Sequence, residues 1–237
     1  LGQVVNTAER GAIRLLKTDA KTGDPLAGAT FAIYRVEEDG TVAEEPSDTQ
    51  VSGADGIVSF ENLTVGDYAI RETNAPTGWL VSTDTISAKV SADGQVVDAG
   101  RVNNERIRAD IIAHKVDSQT HAGLAGATFA LEREGQQIAT ATSDVDGLVT
   151  FKDVEYGTYT IREERAPRGY ALSETRLTAV VSQNGVFVDA GTIENQLVVD
   201  QSALARTGMD AEVVRFAGLV GAIGIGILLG VRRRRVS

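Results

Sequence analysis

Apolar and polar positions alternate with a period of two through most of the chain before Val213, and no helical period interrupts them. The alternating runs are short and are separated by Asp-Gly, Asn-Gly and Gly-Asp turns, which predicts antiparallel strands. Ile13, Leu15 and Lys17 share one strand face, and Phe31 and Ile33 lie on the opposite side from Thr30, Ala32 and Tyr34. Tyr68, Ile70 and Glu72 share a face, as do Tyr159, Ile161 and Glu163. Asp55-Gly56 and Asp146-Gly147 precede strands that run through Phe60 and Phe151. Final hairpins are expected to turn near Ala92-Asp93-Gly94 and Asn184-Gly185.

The pattern is duplicated. KTDAKTGDPLAGATFAIYR from Lys17 matches KVDSQTHAGLAGATFALER from Lys115 at an offset of 98. YAIRETNAPTGW from Tyr68 matches YTIREERAPRGY from Tyr159, and DAGRVNNE from Asp98 matches DAGTIENQ from Asp189, both at an offset of 91. The first copy therefore carries seven extra residues between Val36 and Gly53, in an acidic, turn-rich stretch that suits a loop insertion. About seven strands per copy imply two tandem β-sandwiches, an all-β fold. A further match lies at the start: Asn6 precedes Lys17 by eleven residues, as Asn104 precedes Lys115. Residues 1–10 are therefore expected to be the closing strand of a preceding repeat, and the chain the C-terminal part of a longer protein. Residues 11–107 and 108–197 form the two repeats, 198–212 a linker, and 213–237 an apolar helix with a basic tail.

Composition narrows the function. The 237 residues carry a formal charge of −10, which argues against nucleic acid as a partner. Cysteine is absent, so small β-domains such as these need packing or some staple other than a disulfide. No metal site and no cofactor are expected. His114 and His121 have no third ligand in pattern, and Asp144-Val145-Asp146-Gly147 lacks the terminal glutamate of a calcium loop. Glu37, Glu38, Asp39, Glu44 and Glu45 are a solvated loop, and Trp79 and Tyr170 are expected to pack.

The candidate chemistry lies in three polar residues that parity sends inward. Lys17, Glu72 and Asn104 follow apolar residues of like parity, and Lys115, Glu163 and Asn195 repeat the set. Burying such groups is costly unless they meet. Desolvation favours a neutral lysine amine, which is a nucleophile, and a protonated glutamate, which can polarise an amide and carry protons. The set could then form a Lys–Asn isopeptide with loss of ammonia. The residues alone also permit an unreactive, hydrogen-bonded Lys–Glu pair beside an asparagine.

LAGATFAIYR and LAGATFALER, with YAIRETNAPTGW and YTIREERAPRGY, resemble the B-type repeats of collagen-adhesin surface proteins and the domains of sortase-assembled Gram-positive pilins. The second pair is similar to the pilin motif Tyr-x-x-x-Glu-x-x-Ala-Pro-x-Gly-aromatic. The resemblance covers residues from about 11 to 197 and implies prealbumin-like sandwiches with an isopeptide joining first and last strands. It implies Lys17 and Lys115 as amines, Glu72 and Glu163 as catalytic acids, and Asn104 and Asn195 as acceptors. Asn103 adjoins the first acceptor, but parity and the second copy both favour Asn104. Such bonds are self-modification, not enzyme turnover.

Leu204-Ala205-Arg206-Thr207-Gly208, a polar spacer, the apolar run Phe216–Val231 and the basic Arg232–Arg235 follow in that order. The sixteen-residue run is short for a membrane span, and Val213 and Val214 extend it. The basic tail fits a cytoplasmic end. Together these parts resemble a cell-wall sorting signal, which implies sortase cleavage between Thr207 and Gly208 and transfer of Thr207 to a peptidoglycan precursor. Ala205 stands where the commonest pattern has Pro. The alternative is a plain membrane anchor. The expected role is the stalk of a wall-anchored surface protein. Alternatives are a basal or tip pilus subunit joined to other pilins, for which no Tyr-Pro-Lys-type shaft motif is visible, or a repeat that itself binds a host ligand.

Overall fold

The computed structural model describes residues 9–199. Asn6, the linker motif Leu204–Gly208 and the apolar segment from Val213 lie outside the described residues. Among those described there is no helix long and apolar enough to cross a membrane.

Among the described residues, fourteen strands form two sandwiches of seven. The first contains β1 (Arg10–Asp19), β2 (Thr30–Val36), β3 (Asp48–Val51), β4 (Ile57–Thr64), β5 (Gly66–Asn74), β6 (Thr85–Val90) and β7 (Val96–Asn104). The second contains β8 (Arg108–Asp117), β9 (Thr128–Arg133), β10 (Gln136–Thr142), β11 (Leu148–Glu155), β12 (Gly157–Arg165), β13 (Arg176–Val181) and β14 (Phe187–Asn195). In each, a three-stranded sheet faces a four-stranded one. The orders are β4-β1-β7 against β3-β2-β5-β6, and β11-β8-β14 against β10-β9-β12-β13.

The two sandwiches have separate apolar cores. Ile13, Leu15, Phe31, Ile33, Phe60, Ile70 and Val102 meet in the first. Ile111, Ala113, Phe129, Leu131, Phe151, Ile161 and Ile193 meet in the second. These are the inward positions of period-two runs, and their burial supplies the main driving force for packing one sheet on the other.

Two expectations are corrected. Not every pairing is antiparallel: β1 runs parallel to β7, and β8 parallel to β14, so the first and last strands of each sandwich are neighbours. Alternation fixes the face a side chain takes, but not the direction of the neighbouring strand. The turns at Gly94 and Gly185 exist, both glycines having φ of 70°, but they do not close hairpins. They carry the chain from β6 to β7 and from β13 to β14, that is, from one sheet to the other.

The repeated motifs now have structural roles. In Ala-Gly-Ala-Thr, the Ala29 and Ala127 amides donate to the buried Ser52 and Ser143 hydroxyls at 2.9 and 3.0 Å. The Tyr68 and Tyr159 hydroxyls donate back to the carbonyls of Thr64 and Glu155 at 2.7 and 2.6 Å, fixing the turn before β5 and β12. The insertion after Val36 folds back along β2, where Ala43 N–H donates to Arg35 O, and Glu37, Glu38, Asp39, Glu44 and Glu45 are exposed.

Candidate functional site

Lys17 sits on β1, the central strand of its sheet, opposite Val102 of β7. Asn104 lies two residues further along β7, and Glu72 reaches in from β5 of the facing sheet. All three are buried, at 0, 1 and 7 % exposure. The second sandwich repeats this with Lys115 on β8 opposite Ile193, Asn195 on β14 and Glu163 on β12, at 0, 2 and 4 %. The structure thus brings both predicted triplets together. Asn103 points outward and is exposed.

The hydrogen bonds are alike in the two copies. Asn104 Nδ2 donates to Glu72 Oε1 at 2.7 Å, and Asn195 Nδ2 to Glu163 Oε1 at 2.8 Å. Lys17 Nζ donates to the carbonyls of Val102 and Thr18 at 3.2 and 3.3 Å. Lys115 Nζ donates to those of Ile193 and Val116 at 2.9 and 3.0 Å. Each amine is thereby held against the strand that carries the asparagine. Asn104 Oδ1 and Asn195 Oδ1 are the buried side-chain oxygens left without a partner among the described residues. An orphaned buried acceptor is unfavourable, and it recurs at the same place in both copies.

Burial pushes the Lys17 amine down from an ordinary 10.5 to about 8, against the opposing pull of Glu72 and Asp19. Burial also lowers Lys115, against Glu163, Asp117 and Glu194. For Lys17 this makes the neutral, nucleophilic amine abundant at mildly alkaline pH, and the downward shift of Lys115 works in the same direction.

Three elements at the site were not foreseen. Asp19 and Asp117 end the lysine strands, buried, two residues after each lysine. Asp19 accepts from the N–H groups of Lys21 and Thr22 and pairs with Arg106 at 2.7 Å; burial works against its charge, but these partners hold its pKa below the usual value. The N–H groups of Thr120 and Gln119 hold Asp117 at about 2. Ser82 and Ser173 donate their backbone N–H to the second oxygens of Glu72 and Glu163 at 2.7 and 2.8 Å. Trp79 and Tyr170 do more than pack: Trp79 Nε1 donates to Asp19 Oδ2 at 3.4 Å, and the Tyr170 hydroxyl to Asp117 Oδ2 at 3.0 Å. The sequence held one readable signal, since Lys-x-Asp occurs in both copies with lysine and aspartate on one parity.

Between the sandwiches, the Arg106 guanidinium pairs with Asp19 of the first and Glu155 of the second, and stacks over Trp79 at 5.3 Å. Arg108 pairs with Asp153 and Glu155. His114 and His121 lie at the surface beside Asp189 and Glu194.

The described residues thus form two tandem β-sandwiches, each with a buried lysine and asparagine on its adjacent first and last strands and a buried glutamate reaching in from the facing sheet. A family model for the SpaA prealbumin-like fold domain matches residues 11–105 and 109–196, and the chain belongs to that family. It is 28 % identical over 184 residues to serine-aspartate repeat-containing protein D of Staphylococcus aureus (strain Newman), covering 68 % of this chain and 14 % of that protein. It is 25 % identical over 160 residues to serine-aspartate repeat-containing protein F of Staphylococcus epidermidis (strain ATCC 12228 / FDA PCI 1200), covering 58 % of this chain and 10 % of that protein. The chain thus spans about a seventh or less of the length of these curated relatives. Among solved structures, the Bacillus anthracis TIE protein superposes with a TM-score of 0.68 at 25 % identity, over 79 % of this chain and 34 % of that one. A C-terminal fragment of the pilus adhesin SpaC from Lactobacillus rhamnosus GG shares the fold, with a TM-score of 0.53 at 16 % identity, over 81 % of this chain and 99 % of that one.

Proposed function

We propose that this chain is a stalk segment of a cell-wall-anchored surface protein, and that each sandwich is closed by an autocatalytic Lys–Asn isopeptide. The observation that carries the reading is the duplicated site. In both sandwiches a buried lysine lies on the first strand, a buried asparagine on the adjacent parallel last strand donates to a buried glutamate from the facing sheet, and both asparagine oxygens lack a partner among the described residues.

The chemistry balances without a cofactor. The neutral Lys17 Nζ attacks Asn104 Cγ. Glu72, which already accepts from Asn104 Nδ2, is the proton shuttle of this step: it gives a proton to the amide oxygen as negative charge develops there, takes one from the attacking nitrogen and passes it to Nδ2, and recovers the first as the C=O re-forms. The Cγ–Nδ2 bond breaks, ammonia leaves, and an Nζ–Cγ amide remains. Lys115, Glu163 and Asn195 act likewise. Each site reacts once, so the chain is not an enzyme.

A bond between first and last strands suits a stalk, because tension entering at one terminal strand leaves by the other without unfolding the sandwich. In this reading the partners are a sortase that cleaves after Thr207 and the amine of a peptidoglycan precursor. The protein then sits on the outer face of the wall. Intact-mass measurement of the purified full chain tests the bonds. The expected mass is two ammonias below that of the sequence, and Glu72→Ala should restore one. A mass equal to that of the sequence contradicts the reading.

A further inference from the structure

The segments that follow β5 and β12 contact the glutamate, the aspartate that ends the lysine strand, and the residue that follows the asparagine. Pro76–Ser82 leaves β5 through a turn in which Trp79 N–H donates to Pro76 O at 3.1 Å. Its indole then bonds Asp19 on the lysine strand. The next residue, Leu80, donates its N–H to Glu105 O at 2.8 Å, immediately after the acceptor asparagine. Ser82 N–H finally holds Glu72 Oε2. Pro167–Ser173 repeats every contact: Tyr170 N–H to Pro167 O at 3.1 Å, Tyr170 hydroxyl to Asp117, Ala171 N–H to Gln196 O at 2.9 Å, and Ser173 N–H to Glu163 Oε2. The acceptor strand is tied from the lysine side as well, since Ala20 and Ser118 donate their N–H groups to the carbonyls of Asn104 and Asn195 at 2.9 and 3.0 Å.

We infer that Pro76–Ser82 and Pro167–Ser173 are positioning straps that set the rate of isopeptide closure, by aiming the glutamate and fixing the two reacting strands against each other. The inference rests on the isopeptide reading above. With Oε2 held by a backbone N–H, Oε1 is the oxygen left to serve the asparagine amide, so the carboxyl cannot rotate away from the reacting carbon. Alignment of this kind acts on rate, because a reacting pair gains only while it is held in near-attack geometry. Nothing in the strap exchanges a proton with the substrate groups. Ser82 and Ser173 contribute their main-chain N–H, while their hydroxyls accept from Asp84 and Thr175 N–H at 3.2 and 3.3 Å.

The two repeats allow an internal control. Full-length chain is produced in a short pulse, and closure of each repeat is followed by mass spectrometry of its peptides. Ser173→Pro removes the N–H that holds Glu163, whereas Ser173→Ala keeps it. The expected result is closure of the second repeat slowed about tenfold or more in Ser173→Pro, unchanged in Ser173→Ala, and unchanged for the first repeat in both. Equal closure rates of the two repeats in Ser173→Pro overturn the strap while leaving the isopeptide reading intact. Absence of closure in the unaltered chain overturns both. Should circular dichroism show Ser173→Pro to be unfolded, Tyr170→Phe decides, since it removes only the hydroxyl that bonds Asp117. Slowed closure confined to the second repeat then supports the strap, and an unchanged rate overturns it.

Discussion

A lysine amine in the middle of a β-sandwich is tolerable only where it is neutralised or consumed. Burial places Lys17 near 8 in the folded chain against an ordinary 10.5, so between those values the unfolded chain binds more protons than the folded one. Stability therefore rises with pH across that window, and below about 8 the penalty for a buried ammonium is fully present. In Asn104→Ala, which keeps the lysine but cannot close, the first sandwich should need more denaturant to unfold as pH is raised from about 8 towards 10.5. Closure of the unaltered first repeat should accelerate over the lower part of the same range as the neutral amine accumulates. Denaturant titrations and timed mass spectra at several pH values check both. A stability that falls, or a rate that is flat, contradicts the assignment of the amine.

At the scale of elements, the lysine strand is located by the turn beside it. Gly147 accepts from Lys115 N–H at 2.7 Å and has φ of +79°, and a Cβ there would stand 2.2 Å from Lys115 O. Gly185 has a similar φ of +70° but open space around it. Gly185→Ala should cost about 1–2 kcal/mol for the left-handed backbone alone. Gly147→Ala should cost more, roughly 3 kcal/mol, because the strand or turn must also shift. Thermal or denaturant unfolding of the two variants compares them, and equal costs would show that the turn does not constrain the lysine strand.

What the sequence disclosed at this scale follows from what alternation encodes. Ile13, Leu15 and Lys17 could be placed on one face because parity is local, and Asp19, two residues on, obeys the same rule. The parallel pairing of β1 with β7 was not legible, since it depends on how chain segments far apart in sequence arrange across two sheets. The grip of Ser82 on Glu72 left no trace either, because it is made by a main-chain N–H that any residue but proline possesses. Arg106 escaped notice because its meaning lies in having Asp19 on one sandwich and Glu155 on the other, a relation that neither repeat contains alone.

For the whole molecule, a bond from Lys17 to Asn104 closes a loop of roughly ninety residues, which by analogy with disulfides stabilises the fold by about 4–5 kcal/mol through the unfolded chain. On the proposed reading, two such loops in series would supply, without cysteine, the staple that small β-domains require. Their value to the cell depends on one end being fixed. Enzymatic digestion of the wall should release protein ending at Thr207 joined to wall peptide, as mass spectrometry would show. Recovery only with detergent would contradict sorting and favour a membrane anchor.

The central claim is that four named side chains become two bonds. Protease digestion of the full chain, followed by tandem mass spectrometry, tests it most directly. The account predicts two branched peptides, one joining the segments that contain Lys17 and Asn104 and the other those that contain Lys115 and Asn195, each lighter by one ammonia than its two parts together. Recovery of all four residues in linear peptides of unaltered mass would contradict it.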